Sequence, residues 1–473
     1  MHVRPDMRAI AAPSDGDGTV AHHRVSTTSP LPLDFPSGGG AAIRRPVGPS
    51  SDDGRAPRAV VVGAGFGGMA AALRLRALGH RVTLVDRIDQ LGGRGRVHHC
   101  NGYTFDAGPT VITAPWLFSE LFELFGRRLE DEVVFTPVDP WYRIIFDDGS
   151  HFDYGESIDH AIEQIRAMSP RDVDGFLRMM KRCERIYEVG FERLGDVPFL
   201  SLGTMLAAVP QMIRLGSFRS TWGFVSQHLR DHRLRRVFSF QPLLVGGNPL
   251  TTTSIYALIQ IVERRFGIHY TMGGTGALVA ALGRLMSDVG IDIRLGADVT
   301  RIACTGGSVR GVELADGTTI PADRVVCNAD PVSVYQRLLP DEPAANAGRR
   351  KARRMRMSMG LFVAYFGTDR TYENLAHHTI VLSDRYEGLL RDIFGRDRLP
   401  QDPSLYVHAP TRTDPSMAPE GHECFYALAP VPNLDAGIDW SREGDRYRDL
   451  VLDRIERMMS PGLRARLDTC FYS

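Results

Sequence analysis

Residues 58–94 begin Arg58-Ala-Val-Val-Val-Gly63-Ala-Gly65-Phe-Gly67-Gly68-Met-Ala-Ala-Ala-Leu73, continue through Arg81-Val-Thr-Leu-Val-Asp86 and close on Leu91-Gly92-Gly93-Arg94. Val60 to Val62 is a short β-branched run of the kind buried in a parallel sheet, and Ala70 to Leu78 is a helix-forming run stopped by Gly79. Between them, Gly63 permits a tight exit from the strand, Gly65 lets backbone approach a pyrophosphate, and Gly68 lets the helix pack closely on the sheet. The helix N-terminus then offers unpaired N–H groups and a partial positive charge to phosphate oxygens. A second apolar strand ends at Asp86, 23 residues after Gly63, where a ribose hydroxyl needs an acceptor. Strand, glycine turn, helix, strand and acid in this order predict a dinucleotide-binding α/β unit.

Nicotinamide enzymes use the same unit, so the choice of cofactor rests on Leu91-Gly92-Gly93-Arg94. Two adjacent glycines suit a second close backbone approach, and the Arg94 guanidinium suits phosphate or flavin oxygens. That combination favours FAD; the competing reading is a solvated turn bearing a surface arginine.

Lys plus Arg and Asp plus Glu number 56 each in 473 residues, so nothing recommends nucleic acid as a partner. The length predicts two or three domains. Six scattered cysteines form no Cys-x-x-Cys pair and fit a reducing compartment, and no clustered ligand spacing suggests a metal site. Residues 1–57, rich in Gly, Pro, Ser and Arg, read as a disordered leader without the apolar core of a secretory signal. No stretch offers the roughly 20 uncharged apolar residues of a membrane span. Residues 197–225, apolar and broken by prolines, read either as an interfacial helix pair dipping into a bilayer or as a buried helical lid.

The remaining order predicts an α/β fold. A Rossmann-like cofactor domain (58–137 and 271–338) carries an inserted β-meander, and a discontinuous α+β substrate domain comprises a helical, membrane-facing lobe (138–270) and a sheet (339–473). Gly273-Gly274-Thr275-Gly276 opens a helix, Ile291 to Leu295 is a strand, and Asp298 to Pro321 forms the meander. Its turn at Leu314-Ala-Asp316-Gly317-Thr318 carries a type I′ signal, and Val326 to Asp330 should return the chain to the cofactor. Arg349 to Arg356 reads as a basic helix, either a plain solvated face or a contact for a membrane or partner.

Taken together, Phe105-Asp-Ala-Gly-Pro-Thr-Val-Ile-Thr113, Ser239-Phe-Gln-Pro-Leu-Leu-Val-Gly-Gly-Asn-Pro249, Gly273-Gly-Thr-Gly-Ala-Leu-Val279, Ala376-His-His-Thr379 and Leu405-Tyr-Val-His-Ala-Pro410 resemble the bacterial-type phytoene desaturases of the amine oxidase-like flavoprotein superfamily. The resemblance runs from Ala59 to the last residue. It implies FAD-dependent desaturation of the C40 polyene 15-cis-phytoene to lycopene or intermediate carotenes, on the cytoplasmic side of the cell membrane, with quinone or oxygen reoxidising the flavin. It also implies cofactor contacts at Gly63, Gly65, Gly67, Gly68, Asp86, Arg94, Gly108, Pro109, Thr110 and Val299. The alternatives are a desaturase of later or hydroxylated carotenoids, and a non-catalytic prenyl-lipid binder.

A carotene has no polar handle, so the site should be largely apolar, and His377 and His378 stand either as a proton relay or as structural histidines. Three departures from the family pattern are evident. Asp86 replaces a usual glutamate, Gly203-Thr204 stands where relatives often carry Arg-Asp, and no Gly-x-Gly-Thr-His-Pro-Gly segment follows Thr469. The last departure predicts a truncated chain with weakened flavin binding. Oligomeric state is left open.

Overall fold

The computed structural model describes residues 56–193, 209–211, 213–395 and 398–473. Nearly all of the leader, the first part of the 197–225 segment, and Gly203-Thr204 lie outside the described residues.

The opening fingerprint folds as its sequence predicts. Strands Arg58–Val62 and Arg81–Val85 pair in parallel, with helix Phe66–Ala77 between them. Arg324–Cys327 and Asp292–Arg294 complete a four-stranded parallel sheet on either side. The strand period of two divides the first strand between two cores. Ala59 and Val61 pack with Met69, Leu73, Leu278 and Leu282 of the helices, whereas Val60 and Val62 pack with Val299, Ile302 and Val312 of the meander. A sheet covered on both faces accounts for the unbroken apolar run.

The meander is Val299–Thr305, Ser308–Leu314 and Thr319–Pro321. Gly306 and Gly307 both have positive φ, as a two-residue type I′ turn requires. The second turn corrects the sequence reading: Gly317 has φ +84° but Asp316 does not enter the left-handed region. The Gly317 N–H donates to the Leu314 carbonyl and the Leu314 N–H to that of Thr318, giving a three-residue loop with a terminal left-handed glycine. The Asp316 carboxylate accepts from the Thr318 N–H at 2.8 Å, a local bond that favours this form over type I′.

A seven-stranded sheet dominates the second half. Its order is Leu467–Tyr472, Gly360–Thr368, Glu423–Val431, Leu405–His408, His378–Val381, Tyr142–Ile145 and His151–Tyr154. On one face Phe362, Phe366, Val407 and Phe425 pack with Tyr447, Val451 and Ile455 of helix Trp440–Met458. The other face turns Tyr365 and Tyr426 toward Phe105. The helical part of residues 138–270 wraps an aromatic core. Its helix Val173–Tyr187 buries Phe176, Met179, Met180, Cys183, Ile186 and Tyr187, a stripe at helical spacing. Each large apolar side chain so buried contributes about 1.5–3 kcal/mol. The basic helix is shorter than predicted, spanning Asn346–Ala352, and residues 353–359 continue outside helix.

Candidate functional site

Two glycine turns and a third segment converge at the carboxyl ends of the parallel strands. The Gly92 N–H donates to the Ala64 carbonyl at 2.9 Å and Gly65 bridges Gly92 in parallel, so the Gly63–Gly68 turn and the Gly92–Gly93 turn are one unit. A Cβ on Gly68 would collide with the Gly63 carbonyl, and one on Gly108 with the Arg94 carbonyl, so both positions exclude any side chain. Helix Phe66–Ala77 starts at Gly65 with no side-chain cap and no acid in its first turn, leaving its first N–H groups free for an anion.

The Asp86 carboxylate accepts from the Ala64 N–H at 2.7 Å on one oxygen and from the Ile88 N–H at 2.9 Å on the other. It thereby fixes the glycine turn while keeping a lone pair on each oxygen. The Asp86 carbonyl accepts from the Ala297 N–H at 2.8 Å, which brings the head of the meander, with buried Val299, beside the same acid. Arg94 is exposed at the mouth of this unit. A cradle a Cβ would fill, an uncapped helix start and an acid at the strand end fit a dinucleotide.

From Gly108 the chain passes Pro109, whose carbonyl accepts from Thr275 Oγ1 at 2.7 Å, to buried Thr110. Thr110 Oγ1 meets the Tyr406 hydroxyl at 2.9 Å and the Tyr426 hydroxyl at 2.9 Å. The Tyr406 hydroxyl also reaches His378 Nδ1 at 2.7 Å, so the predicted cofactor segment and the predicted His378 share one network. His377 and His408 pack against His378, with ring centroids 4.5 and 5.4 Å from its own, and form a separate pair: their Nε2 atoms are 3.0 Å apart, and His377 Nδ1 lies 2.6 Å from Thr413 Oγ1. Burial holds His377 down to about 3, with Asp414 opposing the shift, and drives His378 and His408 well below the ordinary histidine range. All three are neutral imidazoles.

Sequence reasoning missed Tyr406 and His408, although the period-two run Leu405-Tyr-Val-His sets both on one strand face. It also missed that the His377, His378 and His408 nitrogens lie within 4.8 Å of one another, a set able to hold a metal ion, because the sequence spacing carries no ligand signature. Two of those nitrogens already share a hydrogen bond, and no carboxylate joins the set.

Two buried carboxyl groups flank this network. Asp106 accepts from the Thr275 N–H at 2.9 Å through Oδ1 while Oδ2 has no partner, and burial raises it to about 7. Glu263 lies in the aromatic core, where the Tyr142 and Tyr154 hydroxyls donate to it at 3.3 and 3.1 Å, and burial likewise raises it to about 7. The Tyr142 ring in turn stands 5.9 Å from that of His378. A groove of about 860 Å³ lies elsewhere, lined by Arg385, Arg442, Arg446, Asp402 and Glu443 together with Leu399 and Ile438.

Residues 66–458 match the flavin-containing amine oxidoreductase family. The chain is 45% identical to a lycopene-forming phytoene desaturase of Pseudescherichia vulneris, over 87% of this chain and 84% of that one. The chain belongs to the phytoene desaturases of the flavin-containing amine oxidoreductase family. It is a FAD-dependent oxidoreductase. Similar phytoene desaturases include a lycopene-forming enzyme of Pantoea ananas, at 44% over 86% of this chain and 83% of that one, and a neurosporene-forming one of Rhodobacter capsulatus, at 42% over 87% and 79%. Among solved structures, an oxidoreductase from Methanosarcina mazei aligns with TM-score 0.59 at 17% identity, covering 88% of this chain and 87% of that one. A putrescine oxidase aligns with TM-score 0.57 at 14%, covering 87% and 83%. Both share the phytoene desaturase fold.

Proposed function

We propose that this chain desaturates 15-cis-phytoene to lycopene or to intermediate carotenes. The observation that carries the reading is 45% identity over 87% of the chain with a lycopene-forming phytoene desaturase. The glycine cradle supports it. When bound, FAD supplies a two-electron acceptor for the hydride of an allylic methylene.

The chain's own residues then have separate tasks. Gly63, Gly65, Gly67 and Gly68 present backbone to the pyrophosphate, Asp86 turns its remaining lone pairs to the ribose, and Val299 borders the adenine side. Arg94 meets phosphate or flavin oxygens, and Gly108, Pro109 and Thr110 border the ring system. The aromatic sheet face excludes water from the polyene. A proton leaving the neighbouring carbon has a route from Thr110 through Tyr406 to His378.

In this reading residues 58–137 and 271–338 form the cofactor domain, and 138–270 with 339–473 the substrate domain. The helical lobe faces the membrane in which phytoene dissolves, and quinone or oxygen takes the electrons on the cytoplasmic side. The test is expression in a phytoene-accumulating host that lacks any other desaturase. Carotenes of longer conjugation are expected by chromatography; FAD-loaded protein with unchanged phytoene would overturn the reading.

A further inference from the structure

Several exposed apolar side chains gather on one rim of the molecule. Phe218 is 70% exposed, Leu244 44%, Val245 59%, Met355 48%, Met357 45% and Leu434 82%. Their grouping follows from contacts between four segments. Thr253 Oγ1 donates to the Ser217 carbonyl and the Ser254 N–H to that of Arg219 at 2.8 Å, tying the Phe218 loop to residues 241–254. Gly246 abuts the Ser358 side chain, which sets Leu244 and Val245 beside Met357. Asn433 Nδ2 donates to the Met357 and Ser358 carbonyls at 3.3 and 2.9 Å, and so brings Leu434 to the same edge.

Arg350, Lys351, Arg353, Arg354 and Arg356 line this rim, all exposed. None of their side chains has an ion pair or hydrogen bond among the described residues, whereas Arg349 next to them donates to the Leu339 and Glu342 carbonyls. Asp435, next to Leu434, is an exposed acid on the same edge. Five unpaired cations within seven residues repel one another, and large apolar side chains in water cost free energy. A single partner relieves both costs: a bilayer whose anionic headgroups meet the cations and whose acyl boundary receives the apolar side chains.

We infer that this rim is a docking surface for an anionic lipid bilayer. The inference rests on the desaturase reading for its purpose, because a polyene substrate resides in the bilayer, but its test needs no turnover. Each basic side chain near an anionic surface contributes about fivefold in partition. Removing three with Arg350→Gln, Lys351→Gln and Arg354→Gln together should therefore weaken binding about a hundredfold.

The assay is co-sedimentation of the full-length, FAD-loaded protein with phosphatidylcholine vesicles, with and without phosphatidylglycerol. The wild type should prefer the anionic vesicles and be released by salt. The triple variant should lose that preference, and Val245→Ser with Leu434→Ser should weaken binding to both kinds of vesicle. Retained melting temperature and flavin absorbance establish that each variant is folded. Variants that bind like the wild type would overturn the inference, as would variants that instead abolish self-association in sedimentation velocity. A chain that converts detergent-dispersed phytoene yet ignores both vesicles sinks the docking surface and leaves the desaturase reading standing.

Discussion

Replacing Glu263 by Gln isolates the free energy of one buried carboxyl group. Two tyrosine hydroxyls donate to it, at 3.3 and 3.1 Å, and desolvation outweighs these bonds and the nearby Arg264, raising it from 4.5 to about 7. A carboxyl group raised on folding binds its proton more tightly in the native state. Its contribution is therefore fully present below 4.5 and is lost as pH rises through 7. The shift of about 2.5 units corresponds to about 3.4 kcal/mol in full, of which about 2.5 kcal/mol falls between pH 5 and pH 8.5.

Glutamine keeps the shape and one acceptor but carries no proton equilibrium. Urea or thermal melts of both proteins at pH 5 and pH 8.5 give the stability difference at each pH, and every other titrating group cancels between them. The glutamine variant should gain about 2.5 kcal/mol on the wild type across that interval. Parallel pH profiles, with a change below about 0.5 kcal/mol, would refute the reasoning and mean that water reaches the Glu263 carboxylate.

Gly68→Ala pushes the first helix off the Gly63 carbonyl, so the purified variant should carry less than a tenth of the wild-type flavin, read from visible absorbance per protein. Tyr406→Phe removes the hydroxyl joining Thr110 to His378; it should destabilise by about 1–3 kcal/mol in melts and slow desaturation while flavin content holds. The histidines predict the opposite acid behaviour to Glu263. His377, lowered from 6.5 to about 3, contributes stability present above 6.5 and lost as pH falls, so His377→Gln should resist acid better by about 3 kcal/mol at pH 4.5. Equal acid transitions in the two proteins would contradict this.

Local chemistry explains what the sequence revealed. The cofactor unit is written in short-range signals: β-branched strands, glycines where backbones touch, and an acid at a strand end that caps the Ala64 and Ile88 N–H groups. Each of these can be read within a few residues. The site opposite it is assembled from distant strands, and little in one stretch announces it. Tyr406 meets Thr110 across 296 positions, and Glu263 meets Tyr142 across 121, so neither partner is announced by the stretch that carries the other. The Asp316-Gly317 turn failed for a smaller reason: the Asp316 side chain offers its own backbone a rival hydrogen bond.

The central strand of the cofactor sheet has one neighbour close by and one far away. Ala59 pairs with Val82 on one side and with Arg324 on the other. A ribosome adding 5–20 residues per second takes about 12–48 s to travel from the first of these partners to the last. During that interval Arg58–Val62 presents an open, apolar edge, and the cradle lacks Asn328, which covers Gly63 and Gly67. Cofactor capture is thus a late event in the birth of this protein, and the nascent chain depends on chaperones or on rapid helix docking to keep that edge from pairing with another chain.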